Sequence, residues 1–203
     1  MNLKITAYCK IDNEKCKLNE DTFFTYEDKE VSFTKSLYKF LDIKYPKFYK
    51  MDVLSKYGFL ASEILISNSK SLKTYKDDEV ALLFANTDSS TLTDIKYQNT
   101  ISENQSSPSP ALFVYTLPNI LLGEIAIRNK WYGENMFFVL EEFDIKFLTL
   151  YAETLLSSEK VKACILAWVD VKNDNTDVML LSIEKTAEGI DFNQENLKNL
   201  YNK

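Results

Sequence analysis

Histidine is absent from the 203-residue chain, so no step within it can use imidazole as base, acid or metal ligand. Arginine occurs once, as Arg128, which excludes an arginine-cluster phosphate site. Glycine and proline number four each, too few for collagen-like or Pro-rich architectures. The three cysteines, Cys9, Cys16 and Cys164, form an odd set without tight spacing. That pattern fits a reducing compartment rather than a disulfide scaffold. No apolar run reaches the roughly 18 residues of a membrane-spanning helix. The start MNLKITAYCK lacks the long apolar core and small-residue cleavage site of a signal peptide. The expected location is the cytoplasm. Positive charge is also short: 24 Lys and Arg face 30 Asp and Glu, for a net charge of -6. Such a balance excludes a duplex nucleic-acid binder, which needs cations to displace phosphate counterions.

What is present is a core. Hydrophobic residues make up 45% and aromatics 13%, and a chain of this length hides roughly 70% of its unfolded surface. Leu3–Ile11 reads as a strand by alternation. Asp12–Lys35, carrying Phe23, Phe24, Tyr26, Val31 and Phe33, reads as a hairpin or an extended loop. Lys44–Phe48 is a loop, because Pro46 blocks helix continuation. Asp52–Ile66 is a helix with Asp52 as N-cap and a wide apolar stripe. Val80–Ala85 is an uninterrupted apolar run, the mark of a central strand. Thr87–Thr93 is a hydroxyl-rich turn and Ser106–Pro110 a second loop. Ala111–Arg128 is helical at both ends with a break at Pro118-Asn119.

Asn135–Glu141 is another strand. Phe143–Ser157 is a helix with Phe147, Leu150, Tyr151 and Leu155 at helical spacing. Lys162–Val171 and Val178–Lys185 are strands whose short link requires an antiparallel hairpin. Gln194–Tyr201 is a terminal helix. The expected fold is one α/β domain over residues 1–203: a mixed, mainly parallel sheet with helices on both faces and an antiparallel last strand at its edge.

Four segments then carry a resemblance. YPKFYKMDVLSKYGFLASEIL, VALLFANTDSSTLTDIKYQ, SPSPALFVYTLPNILLGEIAIR and WYGENMFFVLEEFD are together similar to the N-terminal half of a β-ketoacyl synthase. They are most similar to the short 3-oxoacyl-carrier-protein-synthase-like proteins of Bacteroidetes flexirubin and aryl polyene clusters. The Ser109-Pro110 to Arg128 block and the Gly133-Glu134-Asn135 turn are the most specific parts. The resemblance implies a thiolase-like half, a five-stranded mixed sheet between helices; the second half has no counterpart here.

Ketosynthases of this family use a cysteine at a strand-to-helix bend after a Gly-x-Asn-Met-type turn, where the helix N-terminus lowers the thiol pKa. Two histidines from the second half assist. Laid on Gly133-Glu134-Asn135-Met136, the family pattern puts Glu142 at the nucleophile position, with Glu141 as the one-residue alternative. A carboxylate cannot form an acyl thioester. The resemblance thus implies no condensation by this chain alone, similar in logic to chain-length factors, and no cofactor or metal. The implied partner is a ketosynthase or a second copy, with an acyl carrier protein as a further candidate.

Candidate site residues each carry two readings. Glu141 and Glu142 either complement the helix dipole or face a ligand or partner. Asn86, Thr87, Asp88, Ser89 and Ser90 either line a pocket at a strand end or form a self-bonded turn. Asn119 either joins that pocket or satisfies backbone groups freed at Pro118. Arg128 and Lys130 either meet an acidic carrier or end a helix. Asn135, Met136, Phe137, Phe138, Val139 and Leu140 form the strand that pairs across a twofold axis in the family, or are covered within the monomer. Two other functions stay open: a stand-alone acyl-thioester or acyl-carrier-protein binding module, and a small enzyme such as a hydrolase with Glu141 or Glu142 as base, for which no Gly-x-Ser-x-Gly elbow exists.

Overall fold

The computed structural model describes residues 2–12, 15–27, 30–102, 108–172 and 175–203. In chain order the elements are β1 (Leu3–Ile11), β2 (Lys15–Leu18), β3 (Asp21–Thr25), α1 (Phe33–Phe40), α2 (Val53–Ser67), β4 (Val80–Asn86), α3 (Thr91–Ser102) and α4 (Pro110–Val114). They continue with α5 (Ile120–Asn129), β5 (Asn135–Val139), α6 (Ile145–Ser157), β6 (Ala163–Val171), β7 (Thr176–Lys185), β8 (Ile190–Asp191) and α7 (Gln194–Asn202). The Ser106-Ser107 part of the expected second loop lies outside the described residues.

Apolar runs set the middle of the sheet. Every residue of β4 and β6 is buried, as a strand covered on both faces requires. The strand order is β3-β2-β1-β7-β6-β4-β5, with β8 also on β1. The sheet thus has eight strands among the described residues, not the five expected. Nor is it mainly parallel: only β4–β5 and β4–β6 are parallel, and the other pairings are antiparallel. Short links force this, because β1–β2, β2–β3 and β6–β7 are hairpins too tight for a crossover. The expected edge position of the last long strand is also corrected. β7 is interior, between β6 and β1, because β1 returns to cover its other side.

Helices cover both faces. On one, α1, α2 and α5 pack with Phe48, Phe59, Leu65 and Leu121; on the other, α6 and α7 pack with Leu148, Leu156, Leu197 and Leu200. Burying each such side chain contributes roughly 1.5–3 kcal/mol. Asp52 caps α2, its carboxylate accepting the Ser55 N–H at 2.9 Å, and a second hydrogen bond from Thr93 (2.8 Å) ties α3 to that cap. The α6 stripe is rotated from the expected one: Leu148, Thr149, Ala152 and Leu156 are buried, whereas Leu150 is 61% exposed.

Candidate functional site

The bend from β5 into α6 is held at both ends. Leu140 N–H donates to Asn86 O at 2.9 Å, which clamps the end of β5 to the end of β4. Asp144 N–H then donates to Glu142 O at 2.7 Å, turning the chain. Phe143 drives the turn by burial: its ring packs on Tyr201 (4.2 Å between centroids) and Trp168 (5.5 Å). Asp144 takes the N-cap, accepting the Phe147 N–H at 2.9 Å, a contact typically worth about 1 kcal/mol. The helix therefore starts two residues later than Phe143, and the carboxylate on its N-terminus is Asp144. Glu141 and Glu142 project from the bend and are exposed.

All three thiols lie elsewhere and are buried. Cys9 and Cys16 contact each other at 3.7 Å across β1 and β2. Cys164 is in β6, where burial pushes its thiol up to about 12, so it is an inert core group rather than a nucleophile.

Asn86, Thr87, Asp88, Ser89 and Ser90 come together at the end of β4, and their hydrogen bonds are spent locally. Asn86 is buried and bonds Ser89 in both directions, at 2.8 and 2.9 Å; Ser89 takes the left-handed conformation (φ 53°). Thr87 donates through both N–H (3.1 Å) and hydroxyl (2.8 Å) to Asp170 of β6. Lys172 bridges Asp170 at 3.4 Å and Asp88 at 3.7 Å. Ser90 donates to Thr116 O at 2.6 Å, fixing the α4–α5 connection. Asn119 is not brought into this cluster's hydrogen bonds: its carbonyl accepts Gly123 N–H at 3.2 Å, and its side chain makes no cap bond. Arg128 is committed to Glu63 through two 3.2 Å hydrogen bonds and lies over the Tyr45 ring. Lys130 is the left-handed C-cap of α5. Sequence reasoning missed Asp170 and Glu184; the available signal for Asp170 was a lone acid inside an otherwise apolar strand, ACILAWVDV, whereas Glu184 sits among other polar residues in TDVMLLSIEK.

Asn135–Val139 forms an edge. Its inner side pairs with β4 in parallel register, Leu82 opposite Asn135 through Asn86 opposite Val139. Leu82 N–H donates to Glu134 O at 2.8 Å, so even-numbered residues direct their backbone groups at β4 and Asn135, Phe137 and Val139 direct theirs outward. Among the described residues no strand meets that outer side. Phe138 packs on Phe147 and Tyr151 of α6, Phe137 packs on the opposite core, and Val139 is 54% exposed.

No family model and no curated protein matches the sequence; solved structures do match in shape. The ishigamide ketosynthase/chain length factor superposes with a TM-score of 0.65 at 11% identity, covering 94% of this chain and 64% of that one. The chain has the thiolase-like fold of ketosynthases and chain length factors. The ketosynthase ApeO in complex with its chain length factor ApeC, from Xenorhabdus doucetiae, matches at 0.62 and 12% identity over 100% of this chain and 91% of that one. The AntDE:AntF complex, a type II PKS acyl-carrier protein with its ketosynthase, matches at 0.64 and 10% over 98% and 64%. The chain thus spans under two thirds of the ishigamide and AntDE chains. Among its described residues no helix is long and apolar enough to cross a membrane.

Proposed function

We propose that this chain is a non-catalytic ketosynthase-like subunit that pairs with an active condensing enzyme in fatty-acid or polyketide-type synthesis of the aryl polyene or flexirubin kind. The observation that carries the reading is the bend before α6. Laid on the family pattern, this bend is the place for the sulfur of a condensing enzyme, and it carries exposed Glu141 and Glu142 while every thiol is buried elsewhere. A carboxylate there cannot hold an acyl group as a thioester, and no imidazole exists to assist decarboxylation. Immediately beside that bend lies the open edge of β5, whose three outward residues offer N–H and C=O groups to a second strand. Matches that include a ketosynthase bound to its chain length factor support the same reading.

The test is co-expression with a ketosynthase from the same genome, followed by gel filtration. The expected result is a co-eluting 1:1 complex that Val139→Pro abolishes. Proline there removes only an outward N–H, so the fold should survive. A chain that never co-elutes with a condensing enzyme, or a complex indifferent to Val139→Pro, contradicts the proposal.

A further inference from the structure

Resting on that reading of β5 as a pairing edge, we infer that the acids flanking the strand choose its partner: β5 accepts an edge strand flanked by Lys or Arg and rejects a second copy of itself. Glu134 precedes the strand, and Glu141 and Glu142 follow it, all three exposed. Over residues 130–146 four acids (Glu134, Glu141, Glu142, Asp144) face two lysines, Lys130 and Lys146. Two further cations among the described residues have acid partners of their own, and Lys160 also feels the Glu134 carboxylate. Lys160 is held by Asp78 at 3.0 Å, and Lys172 is shared by Asp88 and Asp170.

The consequence for self-pairing follows from register. Two copies of β5 paired antiparallel through their outward residues centre on Phe137, with Asn135 opposite Val139 of the other copy. Glu134 then lies opposite Leu140 of that copy and diagonal to its Glu142, while Gly133 lies opposite its Glu141. Each end of the ribbon gathers three carboxylates. Diagonal neighbours across a sheet are about 7–8 Å apart, inside the screening length of about 10 Å at 0.1 M salt. Like charges so placed oppose pairing, while cations on a foreign strand would meet the same carboxylates favourably. The apolar surface and backbone donors of β5 supply attraction to any strand; the flanks discriminate.

The triple variant E134K/E141K/E142K supplies the proposed partner chemistry on a strand of identical shape, and its three sites are exposed, so the fold is retained. Wild type and isotope-labelled variant are mixed at low salt and their dimers counted by native mass spectrometry. The mixed dimer should exceed the wild-type homodimer by roughly tenfold or more. That preference should collapse near roughly 0.5–1 M salt, and Val139→Pro in either copy should remove the mixed dimer. If wild type pairs with itself as readily as with the variant and Val139→Pro abolishes both, the charges do not select, and the edge reading stands alone. Absence of the mixed dimer, with a ketosynthase complex still sensitive to Val139→Pro, overturns charge selection in the same way. If no association of any kind, including with the ketosynthase, responds to Val139→Pro, the edge reading itself falls.

Discussion

Glu184 lies in the interior strand β7 with only 1% of its surface exposed. Burying a carboxylate is costly unless its oxygens are satisfied. Here a hydroxyl from Thr6 donates to it, as do Ser182 at 2.9 Å and Tyr75 at 2.7 Å. The donor from Thr6 is placed by a register shift in β1 between Ile5 and Ala7. Burial by itself would raise the Glu184 pKa; donors from Thr6, Ser71, Tyr75 and Ser182 together outweigh it and hold the group below the ordinary carboxylate range. A depressed folded-state pKa contributes stability that is complete above the unfolded value, about 4.3, and lost as pH falls through the folded value. Glu184→Gln should therefore cost roughly 1–3 kcal/mol at pH 7, read from urea unfolding, with the gap to wild type narrowing on the acid side of the carboxylate range. A gap of constant size at neutral and acid pH would show that the ionised form is not what the hydroxyls stabilise.

At the scale of elements, β5 and its approach are the most sensitive. Gly133 turns the chain into β5 so closely to β4 that an added Cβ would lie 2.4 Å from Val80 O, a backbone atom with no freedom to give way. Gly133→Ala should lower stability by roughly 1–3 kcal/mol, measured as a drop in the urea midpoint, because either the turn or the β4 register must shift. An unchanged midpoint would mean that the approach to β5 is slack. Elements with a clear period were legible in the sequence. Asp52 announced α2, and the apolar runs of β4, β6 and β7 were read within two residues. By contrast α3, TLTDIKYQNTIS, has no apolar stripe and was read only as the turn leading into it; the contacts of Thr93 and Ser90 hold it in place. The buried face of α6 was misread because Thr149 and Ala152 carry it, leaving the larger Leu150 outside.

At the scale of the whole molecule, local signals cannot order strands. That β1 inserts beside β7, nearly the full chain away, is decided by which apolar faces cover each other, so a sheet read as five strands and mainly parallel has eight strands among the described residues and is mainly antiparallel. The candidate site was partly legible for the same reason. Glu141, Glu142 and the strand before them are contiguous in sequence, so their place at one bend could be read. The use of Asp170 by Thr87 and the packing of Tyr201 on Phe143 join distant segments. A bend without sulfur lies beside an open strand, and one measurement addresses both. The chain is co-expressed and purified with a ketosynthase from the same genome, exposed to an acyl-carrier thioester, and each polypeptide is weighed intact. The predicted spectrum shows the acyl mass on the ketosynthase alone, with this chain unmodified in a 1:1 complex. An acyl adduct on this chain would contradict the account.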